Sequence, residues 1–238
     1  MMKTYLNITV YICLILALSA CIDNESPMKK EMTFTFNEGM NGWVGGFADL
    51  PVDGLDTYEL DVSVEALPDE TGSTDKAIKI EGRNMSDDLF MFLKRKVDGL
   101  KPSTSYEVHF DLELASQYPE ESIGIGGSPG GSVFLKAGAS DIEPVPEEVE
   151  EATATYLRMN IDKGNQSQDG PDMLGLGTIG IEGEDFEYEL IRRGNPNEPF
   201  IITADESGSI WLVIGTDSGF EGKTTLYYRE IKVILEER

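Results

Sequence analysis

The chain has 238 residues, of which 44 are acidic and 19 are basic, and its formal net charge is −25 at pH 7. Such an excess of negative charge repels phosphate backbones, so the composition argues against nucleic acid as a partner. It equally disfavours adsorption to anionic lipid. The length is sufficient for a sizeable hydrophobic core in one or two domains.

Residues 1–20 have the layout of a secretory signal, with one charge at Lys3 and an apolar run that is too short to span a bilayer. The run ends in Leu18-Ser19-Ala20-Cys21, which resembles a bacterial lipobox. The resemblance implies cleavage before Cys21 and attachment of lipid to its thiol, and two or three acyl chains make a stable membrane anchor. The alternative is a plain signal peptide followed by a chance cysteine.

Sorting depends on the residues after Cys21. Ile22 stands where an aspartate is associated with inner-membrane retention, and Asp23 and Glu25 follow. This segment resembles the acidic export signals of surface lipoproteins. It predicts a lipid-anchored protein of the bacterial outer membrane, and the inward or outward orientation stays open.

The remaining cysteine, Cys13, lies inside the predicted signal, so the mature domain has no disulfide and no thiolate metal site. Residues 22–30 are polar and contain Pro27, which is typical of a tether. We therefore divide the chain into a signal peptide over residues 1–20, a lipidated tether over residues 21–30 and one domain over residues 31–238.

Alternating apolar and polar residues predict strands throughout that domain, first over 31–36 and 58–64 and most clearly over 106–114. Further strands are predicted near 76–81, 89–97, 132–137, 155–161, 186–192, 199–204, 209–215 and 224–235. Residues 143–151 hold five glutamates and two prolines, and we interpret them as a solvated loop or a single helical turn. Many short, evenly spaced strands indicate an all-β fold, an antiparallel β-sandwich of jelly-roll type.

Three segments resemble the jelly-roll carbohydrate-binding modules. They are Phe34-Thr35-Phe36 with the turn through Gly42-Trp43, then Leu100-Lys101-Pro102 with the strand Tyr106–Phe110, and finally Thr225–Val233. The segments also describe galactose-binding-like domains that bind no sugar, and Glu230 stands where the modules often have aspartate. The resemblance implies a fold and, more loosely, a carbohydrate ligand.

A sugar site needs an exposed aromatic ring against the C–H face of the sugar, with polar side chains nearby for the hydroxyls. Trp43 lies in a glycine-rich turn with Asn41 and Asp49 close in sequence, so these three residues are the predicted ligand-binding set. The alternative for Trp43 is a core residue that closes the end of the sandwich.

Acidic turns offer the carboxylate oxygens that Ca²⁺ prefers, whereas a chain with one histidine offers no histidine-rich transition-metal site. The candidate calcium ligands are Asp87, Asp88, Asp162, Asp169, Asp217 and Glu221. Solvated turn residues are the alternative for each of these turns.

Gly126-Gly127-Ser128-Pro129-Gly130 matches the G-x-S-x-G pattern of hydrolases. A nucleophile elbow requires a strand before the serine and a helix after it, and the histidine follows the serine in chain order. Here a strand follows, and His109 precedes Ser128. We therefore interpret the glycines as a tight turn and His109 as a solvated residue on a polar strand face.

Three function classes remain. The first is an envelope lipoprotein whose sandwich binds a carbohydrate, with a structural calcium ion. The second is a non-catalytic structural or interaction lipoprotein with a protein partner that the sequence does not identify. The third is a glycan-active hydrolase, although no catalytic residue set is indicated.

Overall fold

Alternation of apolar and polar side chains builds two antiparallel sheets that pack face to face, each with one side on a shared core. The computed structural model describes residues 26–85 and 88–238. The predicted all-β fold, an antiparallel β-sandwich of jelly-roll type, is confirmed. No helix among these residues has the length and apolar composition that a bilayer crossing requires.

Fifteen strands make up the described part of the chain. They are β1 (Lys29–Thr35), β2 (Val44–Ala48), β3 (Leu50–Pro51), β4 (Asp61–Ala66), β5 (Lys76–Arg83), β6 (Leu89–Val97), β7 (Ser105–Ser116), β8 (Val133–Ser140), β9 (Pro146–Glu150), β10 (Thr155–Met159), β11 (Met173–Thr178), β12 (Glu189–Gly194), β13 (Phe200–Thr203), β14 (Ile210–Ser218) and β15 (Lys223–Glu237). Two short 3₁₀ helices cover Leu55–Tyr58 and Asp69–Thr71.

The first sheet is organised around β15, its longest strand. One edge of β15 pairs with β5 and then with β1, while the other edge pairs with β7. The outer edge of β7 pairs in turn with β12 and β13, and β4 completes the sheet beside β5. Two strands therefore lie end to end along each side of the β7–β15 pair.

Beyond the bulge described below, side chains of β15 alternate between the core and the outer face of the sheet. Ile231 and Val233 are fully buried in the core, whereas Lys232 and Ile234 face outward. A β-bulge lies between Tyr228 and Glu230 where β15 pairs with β7. Tyr228 points into the core and Tyr227 lies on the outer face.

The second sheet has the strand order β11-β8-β14-β6-β2. Its outer face is covered by a second apolar cluster, in which Phe90 and Phe92 pack with Ile161 and Met173. A small sheet of order β3-β10-β9 belongs to this covering layer. Burial on both faces explains why β6 begins with an unbroken apolar run instead of an alternating one.

Four strands differ from the sequence predictions. Residues 143–151 contain strand β9 instead of a loop or helical turn; β9 pairs with β10 along one edge and leaves most of its side chains exposed, so no alternation marks it. Strands β2 and β11 escaped prediction because glycines interrupt their patterns. Strand β1 begins at Lys29, two residues inside the predicted tether.

The hydroxyl of Tyr228 provides a test of the core. It is buried and makes no hydrogen bond within the described residues, and burial raises the pKa of this phenol. A buried polar group without a partner carries an uncompensated desolvation cost of about 1–3 kcal/mol. We expect Tyr228→Phe to leave the free energy of unfolding unchanged or to raise it by up to about 1 kcal/mol, as measured by urea unfolding. A decrease of more than about 1 kcal/mol in the free energy of unfolding would show that the hydroxyl has a hydrogen-bond partner.

Candidate functional site

A cavity of 720 Å³ forms an open trough on the outer face of the first sheet, where β12, β7 and β15 lie side by side. The trough is lined by His109, Phe110, Asp111, Arg192, Arg193, Gly194, Pro196, Lys232, Ile234 and Glu236. Because these strands are antiparallel neighbours, outward side chains two residues apart on each strand form rows across the trough.

The trough lies beside a gap between β12 and β13 along the edge of β7. In that gap the buried side chain of Asn195 makes the hydrogen bonds to β7 that a neighbouring strand would otherwise make. Its oxygen accepts a hydrogen bond from the Phe110 amide at 2.6 Å, and its nitrogen donates to the Val108 carbonyl at 3.0 Å. A side chain at Gly194 would collide with the Phe110 carbonyl, 2.4 Å from an added Cβ. The chain can therefore separate from β7 after β12 while the backbone groups of Phe110 and Val108 on β7 stay hydrogen-bonded.

Acidic and basic groups alternate across the trough and its rim. The guanidinium of Arg192 lies 2.8 Å from Asp111 and 3.1 Å from Glu113, and Lys232 lies 2.5 Å from Glu31. The hydrogen bond to Glu113 raises the pKa of Arg192. Burial raises the pKa of Glu113, but hydrogen bonds from Arg192 and Arg229 outweigh it, so that pKa lies below its usual value.

Apolar surface forms part of the trough floor. Ile234 lies directly opposite His109 across the β7–β15 pair, and Pro196 lies at the edge. The arrangement therefore combines hydrogen-bond donors, hydrogen-bond acceptors and an apolar floor within one cavity. Such a surface suits a ligand that has polar edges and apolar faces.

A second group of charged side chains lies on the outer face of the second sheet, and we call Asp49, Asp88, Arg158, Lys163 and Asp217 the ion cluster. The Lys163 ammonium lies 2.7 Å from Asp217 Oδ2 and 3.0 Å from Asp49 Oδ2. Arg158 Nη1 lies 3.3 Å from Asp49 and 3.4 Å from Asp88. Lys163 and Asp217 are buried, so each charge depends on its partners for stabilisation.

The pKa values in the ion cluster follow from burial and from these partners. Burial, with repulsion from Asp49, raises the pKa of Asp88 to about 6. Burial lowers the pKa of Lys163, but Asp217 and Asp49 outweigh it, so that pKa is raised. With a pKa of about 6, Asp88 can gain or lose a proton near neutral pH. The cations beside it, Arg158 and Lys163, are held in ion pairs with the neighbouring carboxylates. The cluster therefore forms an ion network beside a pocket of 230 Å³.

The three residues predicted to bind a sugar are not brought together as a site. Trp43 is 2% exposed and packs edge to face on Phe34 with ring centroids 5.6 Å apart, so its ring is a core contact and not a stacking platform. Asn41 is exposed in the adjacent turn, with a backbone φ of 49°. Asp49 is buried in the ion cluster, where Arg158 and Lys163 bind it.

The predicted calcium ligands are divided among several places. Asp88 and Asp217 belong to the ion cluster, and Asp162 lines the neighbouring pocket. The Asp169 carboxylate accepts a hydrogen bond from the Gly175 amide, and the Glu221 amide donates to Ile125. Within the cluster the Lys163 ammonium and the Arg158 guanidinium bind the carboxylates that would be needed to coordinate calcium. Calcium binding by these residues stays a prediction. Asp87 and the lipidation candidate Cys21 lie outside the described residues.

Ser128 has a structural role, as the sequence predicted for this turn. Its hydroxyl donates to the Glu120 carbonyl at 2.5 Å and accepts hydrogen bonds from the Gly130 and Gly131 amides. The segment therefore forms a hydrogen-bonded turn that is followed by β8, without the strand–turn–helix arrangement of a nucleophile elbow.

No protein-family model and no curated protein matches the chain. Among solved structures, a carbohydrate-binding module with specific mannan recognition is 12% identical, with 90% of this chain and 99% of that one covered and a TM-score of 0.41. The K1 cleaved adhesin domain of Lys-gingipain from Porphyromonas gingivalis is 10% identical, with 86% and 97% covered and a TM-score of 0.38. A carbohydrate-binding module specific for non-crystalline cellulose is 8% identical, with 82% and 90% covered and a TM-score of 0.35. At these TM-scores the likeness carries no argument about the ligand of this chain.

Substitution of Lys163 tests how much the ion cluster contributes to the free energy of unfolding. We expect Lys163→Met to lower the free energy of unfolding by about 3–5 kcal/mol, because it leaves the buried Asp217 and Asp49 without a shared cation. Urea unfolding measures the change, and Lys76→Met on the exposed surface of β5 is the matched control. A loss no larger than that of the control would contradict this role for Lys163.

The raised pKa of Asp88 makes the stability of the fold depend on pH. Its pKa of about 6 exceeds the value of about 3.9 in an unfolded chain, so the folded state binds the proton more tightly. The stability from this group is complete below about pH 4 and is lost as pH rises through about 6. We expect Asp88→Asn to melt above the parent protein at pH 7.5 and at the same temperature near pH 4. An equal difference at both pH values would contradict the raised pKa.

Proposed function

We propose that this chain is an envelope lipoprotein whose β-sandwich binds a carbohydrate in the trough on the outer face of β12, β7 and β15. The observation that carries the proposal is the trough itself, a cavity of 720 Å³ with donors and acceptors around an apolar floor. Sugars present hydroxyl groups that both donate and accept hydrogen bonds, together with C–H faces that pack on apolar side chains. The trough offers a partner for each of these features.

The charge balance of the trough favours a neutral ligand. Asp111 and Glu236 line it together with Arg192, Arg193 and Lys232, although the whole chain carries a formal charge of −25. The guanidinium of Arg193 is bound to the carbonyls of Thr178 and Gly180 and keeps its positive charge. The three cations are balanced by the two lining carboxylates and by Glu113, which binds Arg192 at the rim. A balanced surface gains little from a polyanion or a polycation, whereas a polyhydroxylated ligand can use both signs of charge.

The pairing of those charges also suits sugar recognition. Carboxylate and guanidinium groups that bind one another are held in fixed positions before a ligand arrives, which lowers the conformational entropy lost on binding. Hydrogen bonds to charged groups are worth about 1.5–3 kcal/mol each, compared with about 1 kcal/mol between neutral groups. A few of them would give measurable affinity for an oligosaccharide.

Envelope anchoring is supported by the lipobox-like segment Leu18–Cys21 and by the acidic residues that follow it. The described domain begins with β1 at Lys29, only a few residues after Cys21. An outer-membrane location places the trough where polysaccharides are encountered. The anchor and the trough thus support one function, in which the protein retains a glycan at the membrane.

The test of ligand binding uses the full chain in detergent on immobilised neutral polysaccharides, with and without EDTA. We expect retention of at least one neutral polysaccharide. Arg192→Ala and Asp111→Asn should each weaken that retention about tenfold or more, since each removes charged hydrogen bonds. Glu148→Ala, on the exposed edge strand β9, is the control and should bind as the parent does.

Three other results would redirect the proposal. Retention unchanged by both trough variants would place the sugar elsewhere on the molecule. Absence of retention on every polysaccharide would favour the interaction lipoprotein. Loss of retention in EDTA would add a metal requirement, including the predicted calcium.

The test of anchoring is Cys21→Ser in the bacterial host. Because the lipid is joined through the cysteine sulfur, we expect this variant to lose metabolic labelling by palmitate and to leave the membrane fraction. Cys13→Ser, inside the predicted signal, is the control and should be labelled as the parent is. Palmitate labelling that persists without Cys21 would contradict the lipobox interpretation.

A further inference from the structure

One end of the trough contains the single histidine of the chain between two glutamates. Glu107 and His109 on β7 and Glu236 on β15 each offer one ligand atom, and these three atoms all lie within 4.8 Å of one another. Of the groups of histidine, cysteine, aspartate and glutamate in residues 26–85 and 88–238, this is the one whose geometry could hold a metal ion. His109 and Glu236 both line the trough.

Strand pairing brings the three side chains together. Glu107 and Glu236 are direct partners across the antiparallel β7–β15 pair, and His109 lies two residues further along β7, opposite Ile234. Residues that are direct or diagonal neighbours on one sheet face are within reach of long side chains. The backbone therefore sets the spacing of the three groups before any ion arrives.

From this geometry we infer that Glu107, His109 and Glu236 form a binding site for a divalent transition-metal ion of the Zn²⁺ type. The donor set is one imidazole nitrogen and two carboxylate oxygens. Imidazole favours Zn²⁺ and its neighbours over Ca²⁺ and Mg²⁺, which prefer oxygen ligands alone. Three protein ligands would leave a fourth tetrahedral position open, and two of the three, His109 and Glu236, line the trough.

Two cations on neighbouring segments compete for the same carboxylates. Lys29 lies 2.6 Å from Glu236 Oε1, and its hydrogen bond lowers the pKa of Glu236. Arg238 Nε lies 3.5 Å from Glu107 Oε1. Both cations are on exposed side chains, so a metal ion can displace them at small cost.

The ion cluster of the second sheet differs from this three-residue group in how its carboxylates are paired. Its carboxylates are separated by Lys163 and Arg158, and Lys163 is itself buried. The Glu107–His109–Glu236 group lacks such a buried cation among the described residues, and it adds a nitrogen ligand. The metal site goes beyond carbohydrate binding, because it requires no sugar to form.

The experiment titrates Zn²⁺ into the full chain in detergent, purified through a tag without histidine. Since His109 is the single histidine, its imidazole signals in a ¹H–¹³C spectrum are unambiguous. We expect saturable Zn²⁺ binding by calorimetry together with a shift of those signals. His109→Gln and Glu236→Gln should each weaken the binding at least tenfold, and Lys29→Ala should tighten it several-fold by removing the competing ammonium.

Glu148→Gln, which changes an exposed carboxylate on β9 outside the trough, is the control and should bind Zn²⁺ as the parent does. The three ligands lie on the outer face of the sheet, so thermal melts of their variants should match the parent. Imidazole signals unmoved by Zn²⁺, or equal Zn²⁺ affinity in His109→Gln, would overturn the inference. Polysaccharide retention is measured in parallel without added metal, so failure of the metal site and failure of the carbohydrate proposal give separate results.

Discussion

Pairing between β7 and β15 is the constraint on which the rest of the structure depends. The two strands run together from Tyr227–Ala115 to Glu237–Tyr106, with one bulge. Inward residues such as Phe110 and Val233 form the core, while outward residues such as Asp111 and Lys232 form the trough. A shift of one residue in this pairing would exchange the two faces of a strand. The packing of the core and the lining of the trough are therefore specified by the same register.

The acidic composition makes the placement of the few cations important. In the first sheet, Arg229 beside the bulge binds Asp75 and Glu113, and Arg192 binds Asp111 and Glu113. In the second sheet, Lys163 and Arg158 connect the covering layer to Asp217 on β14 and to Asp49. Each cation binds two or more carboxylates that lie on segments other than its own. The described domain, which has no cysteine, thereby gains links between segments that are far apart in sequence.

The sequence predicted elements where one face is buried and the other is exposed. β7 and β15 are of this kind, and both were found, together with the jelly-roll sandwich. β9 carries almost no burial pattern, so its glutamates resembled a loop. Trp43 could not be assigned to core or surface, because that depends on Phe34 packing against it after folding.

The candidate sites were harder to predict than the fold. The polar face of β7 with His109 was recognised, but its partner residues on β15 lie more than a hundred positions away in sequence. The pairing of Glu107 with Glu236 is set by that long-range register and leaves no local signal. Likewise, Asp49, Asp88 and Asp217 come from segments that are far apart in sequence, and the cations that join them were not foreseen.

The antiparallel pairing of β1 with β15 has a geometric consequence for an anchored protein. Lys29 is the partner of Glu236, so the chain enters the sandwich at the end of the trough that holds His109. Between Cys21 and Lys29 an extended chain reaches at most about 29 Å. An anchor at Cys21 would therefore keep the histidine end proximal to the bilayer, with the Arg192 end distal. A polymer approaching from the aqueous side would first meet the guanidinium of Arg192.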